Sequence, residues 1–119
     1  MIAFFMSCSP PRKMIETDLY FGQTTLNGDT LTTKEWNSFV EQHASRVFAD
    51  GSTIIRAIGH WYDTASRKLF KEPTNIMIAI HPKNKYSSAR IDSLRNLYKV
   101  LYHQQSVLRV DKKVNFRLF

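Results

Sequence analysis

The feature that most constrains the fold is an uninterrupted run of five apolar residues at positions 76–80. The run is too short for a helix, and it lacks the apolar–polar alternation of a strand with one face in water. Such continuous runs are typical of strands that are covered on both faces. The sequence therefore predicts a central β-strand at residues 74–81, and the other elements are assigned around it.

The segments before this strand predict one strand and one helix. Residues 17–25 are rich in aromatic and β-branched side chains and end near an Asn-Gly turn, which indicates a first strand. A capping box formed by Thr32 and Glu35 then begins a helix, in which apolar residues recur at helical spacing as far as Val47. The Asp50-Gly51 pair is expected to end this helix.

A hairpin is predicted next. Residues 52–62 predict a second strand, in which Gly59 indicates a bulge or a close backbone approach. Residues 63–67 form a turn and residues 68–72 return along the strand, until Pro73 is expected to break the pairing. The central strand would then begin anew at residue 74.

The C-terminal third predicts a second helix and a last strand. Ser87 or Ser88 is expected to cap the helix, and residues 103–105 are expected to end it. Residues 106–110 predict the fourth strand, which residues 114–119 continue or pair with at an edge. The apolar stripe of this helix consists of Ile91, Leu94, Tyr98 and Leu101, with Leu97 beside it.

The resulting order, β-α-β-β-α-β, is that of the ferredoxin-like split βαβ unit. We expect an α+β fold with a four-stranded antiparallel sheet, two helices on one face, and the first and third strands in the middle. The 119 residues suffice for one core. The single domain is expected at residues 14–119, and residues 1–13 are expected to form an arm or the remnant of a lipoprotein signal and tether.

The charge balance is basic: 17 Lys and Arg against 10 Asp and Glu give a net charge of +7. The excess favours polyanions or anionic surfaces through non-specific attraction. However, no run of five or more like charges occurs, and no RNA-recognition signature is present. A solvated basic face is therefore favoured over a nucleic-acid site, which would show a steep salt dependence.

The only cysteine, Cys8, follows a short apolar run and precedes Ser9, Pro10 and Pro11. This context is typical of a bacterial lipoprotein signal, in which the cysteine is acylated and a Ser/Pro tether follows. The first basic residue is Arg12, so the positive segment that normally begins such a signal is missing. Lipidation at Cys8 and a disordered arm therefore remain alternatives.

Several short motifs together resemble one family. They are residues 16–22, Glu35-Trp36 with Phe39, and residues 50–51, 59–61, 72–74 and, above all, 105–110. The chain resembles the uncharacterised bacterial family catalogued as domain of unknown function 3574, whose members are often predicted lipoproteins. The resemblance implies a compact α+β domain and supports a lipid anchor at Cys8. It implies no activity.

Five residues are candidates for ligand binding: Arg109, Glu72, His81, Trp61 and Tyr98. Arg109 lies in an apolar strand, where a charge needs a partner. We favour a structural ion pair with Glu72 or exposure to solvent, and the alternative is an anion site in a cleft near the ends of the second and third strands. Trp61 and Tyr98 would line such a cleft or belong to the core or an interface.

A His60, Asp63 and His81 cluster is geometrically conceivable, but no metal-site or catalytic motif supports it. No metal or cofactor is predicted, and no catalytic residue is assigned. The favoured function is a non-enzymatic binding or interaction domain that dimerises through its sheet face or edge. It would be lipid-anchored in the cell envelope if Cys8 is acylated, and cytoplasmic otherwise. The alternatives are a small enzyme or sensor for an anionic small molecule, and a basic nucleic-acid-binding module.

Overall fold

The computed structural model describes residues 13–118. Its strands form one antiparallel sheet in the order β2-β3-β1-β4, with two helical segments against it. This is the predicted ferredoxin-like α+β arrangement, with the first and third strands in the middle. The elements are β1 (Met14–Gly22), α1 (Thr33–Phe39), a π-helical turn (Val40–Ala44), α2 (Ser45–Val47), β2 (Thr53–Asp63), β3 (Lys68–Pro82), α3 (Lys85–Tyr102) and β4 (Leu108–Val114).

The two faces of the sheet differ in how they are covered. On β3, Met77 and Ala79 face the helices and are buried, whereas Ile80 points to the other face and is 38% exposed. The expectation that both faces are covered along residues 76–80 was therefore wrong. Among residues 13–118, no helix lies on the second face, which we call the open face. Within this part of the chain its side chains are covered only by their neighbours in the sheet.

The core forms between β1 and the helices. Phe21 is fully buried, and its ring lies 5.4 Å from that of Trp36, 5.5 Å from that of Phe39 and 4.7 Å from that of Tyr98. The predicted capping box of Thr32 and Glu35 is present at the start of α1. The π-helical turn that follows α1 has no signal in the sequence.

Helix α3 starts and packs differently from the prediction. Its N-cap is Asn84, whose side chain accepts a hydrogen bond from the backbone of Ser87 at 2.7 Å, so neither Ser87 nor Ser88 is the cap. At its far end Leu101 is 44% exposed, and Tyr102 packs against the core in its place. Tyr102 lies four residues beyond Tyr98 and therefore continues the buried stripe of the helix.

Strand β3 runs through Pro73 without a break, contrary to the prediction. The Pro73 carbonyl accepts a hydrogen bond from the Gln23 backbone on the β1 side. A strand residue points its N and O to the same edge, so the missing N–H of Pro73 faces the side where β1 has already ended. The ladder between β2 and β3 is therefore intact, and it contains no bulge at Gly59.

Because β1 ends at Gly22, opposite Thr74, the β2–β3 hairpin extends past the rest of the sheet. We call residues 58–73 the hairpin arm. Its large side chains Ile58, Trp61, Tyr62 and Leu69 are each more than half exposed. Among residues 13–118, no helix combines the length and the apolar character that a membrane crossing requires.

Candidate functional site

His81 and Arg109, two of the predicted site residues, are joined by a chain of hydrogen bonds on the helix-facing side of the sheet. Thr17, fully buried on β1, lies between them. Its hydroxyl is 2.6 Å from Nε2 of His81 and donates to Oδ1 of Asp111 at 2.7 Å. Arg109 Nε donates to the same carboxylate oxygen at 3.1 Å. The strand ends thus hold one polar cluster, composed of His81, Thr17, Asp111 and Arg109.

Arg109 is held by helix α3 as well as by its own strand. Its Nη1 donates to Oδ1 of Asp92 at 2.9 Å and to the Ser88 carbonyl at 3.2 Å. Only 12% of its side chain is exposed. The expected pairing with Glu72 was therefore wrong: Glu72 accepts a hydrogen bond from the Thr24 backbone at 3.3 Å and lies nine residues along β3 from His81, about 30 Å away.

The ion pairs of Arg109 set the charge states of its partners. Burial would raise the pKa of Asp111, but the hydrogen bonds from Thr17 and Arg109 lower it below the ordinary value. Burial would also raise the pKa of Asp92, but the hydrogen bonds from Arg95 and Arg109 lower it below the ordinary value. Burial would lower the pKa of Arg109, but its two carboxylate partners raise it. Asp111, Asp92 and Arg109 therefore stay ionised at neutral pH.

Both ring nitrogens of His81 are held by hydrogen bonds. The Thr17 hydroxyl has one hydrogen, which it donates to Asp111, so it can only accept from Nε2 of His81. Nδ1 of His81 lies 3.0 Å from the Pro82 carbonyl oxygen, which also can only accept. Both nitrogens therefore face hydrogen-bond acceptors, and these two contacts fix the orientation of the ring.

A pocket of about 240 Å³ opens beside His81, between the end of β3, the turn after α2 and the first turns of α3. Arg90 supplies a guanidinium cation to the wall of this pocket. Its Nη2 donates a hydrogen bond of 3.0 Å to the Arg46 carbonyl. Asp50 is the one acidic residue in the lining. The lining residues are Val47, Phe48, Ala49, Asp50, Gly51, Ile80, His81, Pro82, Ser87, Arg90 and Ile91.

The other predicted site residues lie elsewhere. Tyr98 is fully buried in the core, where its hydroxyl donates to the Gly22 carbonyl at 2.6 Å and burial raises its pKa well above the ordinary value. Trp61 lies on the hairpin arm and stacks on Phe70 at 5.1 Å. The five candidates therefore do not line one cleft. Cys8, the predicted lipidation site, lies outside the described residues.

The conceivable cluster of His60, Asp63 and His81 does not assemble either. His60 lies opposite Lys71, ten residues along β3 from His81. In the part of the chain that the structure describes, no group of three His, Cys, Asp or Glu side chains is arranged to hold a metal ion.

The sequence did not reveal Thr17, Asp111, Asp92 or Arg90 as members of the cluster or the pocket. One signal was present: Arg109 and Asp111 are opposite charges two residues apart in a strand, and such residues share a face. Thr17 carried no such signal, because nothing in a β-branched strand residue indicates that it will meet a histidine 64 positions away.

The open face carries a second unusual group, the carboxylate of Asp18. This residue is 5% exposed and lies opposite Ile78 on one neighbouring strand and Val110 on the other. Its Oδ2 is 3.2 Å from Nζ of Lys112, but its Oδ1 is buried and accepts no hydrogen bond from residues 13–118. A buried acceptor without a donor is unfavourable for stability.

We expect Asp18→Leu to raise the free energy of unfolding by about 1 kcal/mol, because leucine removes the unsatisfied acceptor and adds apolar contact with Ile78 and Val110. Urea unfolding followed by circular dichroism measures the change. Glu16→Leu is the matched control, since it removes the other carboxylate that Lys112 contacts, and it should change stability by less than about 0.5 kcal/mol. A loss of stability in Asp18→Leu would mean that the carboxylate stabilises the fold.

Comparison with known proteins gives a family and a fold. Residues 16–118 match the model of a family described as "Protein of unknown function (DUF3574)", in agreement with the resemblance of the sequence motifs. Among curated proteins, none is similar enough in sequence to count as a relative.

Two similar solved structures are those of a phage SAM lyase. In complex with S-methyl-5'-thioadenosine, it superposes with a TM-score of 0.66 over 92% of this chain and 88% of its own. In the apo state, the TM-score is 0.64 over 93% of this chain and 87% of the lyase. Both are 13% identical to this chain, so the likeness concerns the fold alone.

Proposed function

The chain belongs to the family described as "Protein of unknown function (DUF3574)", and from the geometry of the site we propose that it is a binding domain for a small anionic molecule. The ligand would occupy the pocket between His81 and Arg90. The single observation that carries this proposal is His81, fixed by hydrogen bonds at the wall of a pocket that also contains a fixed arginine.

The pocket limits the size and charge of the ligand. Its volume of about 240 Å³ is below the roughly 300–1,000 Å³ of pockets for drug-sized ligands. Arg90 keeps donors free after its bond to the Arg46 carbonyl, and a guanidinium binds carboxylate or phosphate through a planar fork. Asp50, which also lines the pocket, would repel a ligand whose negative charge is spread widely. The ligand class that fits is therefore a compact molecule with one localised carboxylate or phosphate.

The same geometry supports binding rather than catalysis. A general base needs a nitrogen free to accept a proton, and both ring nitrogens of His81 are already engaged in hydrogen bonds. The hydroxyl of Thr17 is likewise engaged, with Asp111 and His81, so it is not placed as a nucleophile. The fixed charges can position and neutralise an anion without taking part in proton transfer.

Inorganic phosphate is the first probe of this site. We expect saturable binding by isothermal titration calorimetry, and we expect Arg90→Gln to weaken it at least about ten-fold, because a charge-assisted hydrogen bond contributes ~1.5–3 kcal/mol. Lys71→Gln is the matched control, since it removes the same charge about 30 Å along β3. It should leave the affinity unchanged.

Equal losses in Arg90→Gln and Lys71→Gln would contradict the proposal, because they would show attraction by net charge alone. S-methyl-5'-thioadenosine, the compound bound in one phage SAM lyase structure, serves as a second probe. Saturable binding of this uncharged nucleoside that Arg90→Gln does not affect would favour a different ligand class and a different site.

Attachment to the cell envelope is a separate proposal, supported by the apolar run before Cys8 and the Ser/Pro stretch after it. We expect the protein expressed in bacteria to incorporate a labelled fatty acid and to sediment with membranes. Cys8→Ser should abolish both, because the acyl chains are attached at the cysteine. A wild-type protein that remains unlabelled would refute the anchor.

A further inference from the structure

Strand β2 forms one edge of the sheet, and this edge is unusual for a protein that stays monomeric. Natural edge strands carry lysine, proline, bulges or inward charges that discourage pairing with another chain. The 11 residues of β2 contain no proline and no lysine, and their ladder with β3 has no bulge. Five large apolar side chains lie on this strand, and their exposed fractions range from 37% at Ile54 to 69% at Ile58.

The apolar and small residues of β2 are arranged symmetrically about Ile58. Ile54 and Tyr62 are each four residues from it, Ile55 and Trp61 are each three, and the small residues Ala57 and Gly59 are its direct neighbours. In an antiparallel pair centred on Ile58, apolar residues would therefore face apolar residues, and small residues would face small ones. Each pair is separated by an even number of positions, so both members point to the same face.

From this symmetry we propose that two copies of the chain associate through β2. The strands pair antiparallel about a two-fold axis at Ile58 and join the two sheets into one of eight strands. A two-fold interface requires a surface that is complementary to itself, and the apolar and small residues of β2 meet this requirement. The remaining pairs in this register are Arg56 with His60 and Thr53 with Asp63. The pairing also places the hairpin arm of each copy beside the main sheet of the other, with Trp61 opposite Ile55.

The exposed apolar area approaches that of a standard dimer interface. Seven large apolar side chains, five on β2 and the neighbouring Leu69 and Phe70, at roughly 100 Å² each would offer on the order of 700 Å² per copy. Standard stable interfaces bury about 800 Å² per partner. The outward-facing N–H and C=O groups of β2 add main-chain hydrogen bonds to this area.

Sedimentation velocity of the full chain tests the dimer. We expect a dimer at micromolar concentration, and we expect Ile58→Lys to weaken it at least ten-fold, because the two new charges would meet on the axis. Val100→Lys is the matched control: Val100 lies on α3 and is 74% exposed, so its replacement should leave the dimer intact. A monomeric wild type, or a dimer that survives Ile58→Lys, would overturn the proposal.

Disulfide formation tests the register. In a Cys8→Ser background, Ile55→Cys and Trp61→Cys proteins should cross-link when they are mixed, because directly opposite residues have Cα atoms about 5 Å apart. Neither protein should cross-link with itself, since equivalent positions lie six residues, or about 20 Å, apart along the strand. Cross-linking within each single variant and not in the mixture would contradict antiparallel pairing about Ile58.

Discussion

Replacing Phe21 with alanine is expected to destabilise the protein by about 4 kcal/mol, the range found for fully buried aromatic residues. Phe21 has no exposed surface, and its ring packs against those of Trp36, Phe39 and Tyr98. Its ring therefore joins β1 to α1 and α3. The loss combines the transfer of the ring to water with the cavity left behind, because the three neighbouring rings cannot all close over it.

Urea unfolding of Phe21→Ala and of the wild type measures this effect. Phe116→Ala is the control, since it makes the same chemical change at a residue that is 44% exposed, and it should cost less than about 1 kcal/mol. Similar losses in the two variants would show that the core is not centred on β1.

Replacing Thr17 with valine is expected to cost about 2 kcal/mol, although the side chain keeps its shape. The hydroxyl links Nε2 of His81, at 2.6 Å, to Oδ1 of Asp111, at 2.7 Å. Valine would leave the buried N–H without an acceptor and take one donor from the carboxylate, and an unsatisfied polar group costs ~1–3 kcal/mol. The same change removes the hydrogen bond that fixes the ring of His81 beside the pocket.

Thr17→Val therefore has a second expected result: phosphate binding in the pocket weakens although Thr17 does not line it. Urea unfolding and phosphate titration of the same variant measure the two effects. Thr30→Val, at an exposed threonine, should change neither by a measurable amount. If Thr17→Val lost stability but kept its phosphate affinity, the position of His81 would not contribute to binding.

The element order and the sheet topology followed from the sequence because they depend on local signals. The capping box at Thr32 and the β-branched and apolar runs are read from neighbouring residues. The break predicted at Pro73 was wrong, because the effect of this proline depends on where β1 ends, which is a property of the assembled sheet. The cap of α3 was misplaced for a local reason: Asn84 and Ser87 are both good caps, and the backbone geometry decides between them.

The site was less predictable than the fold. His81 and Arg109 were selected as charged groups at or within apolar strands, and they do meet, but through Asp111 and Thr17 rather than directly. Glu72 was chosen by its place at a strand entry, yet nine residues of β3 separate it from His81. Partners that are distant in sequence are set by the register of three strands, and a single sequence contains no measure of that register.

The central position of β1 also has a consequence for synthesis on the ribosome. Its neighbour β4 contributes Asp111, which bonds Thr17 from 94 positions further along the chain. At translation rates of about 5–20 residues per second, β1 waits roughly 5–20 s before that neighbour exists. During this interval one backbone edge of β1 is open to other chains. Early collapse of the first helix onto Phe21, through the contacts that Trp36 and Phe39 make with its ring, would cover one face of β1 during this interval.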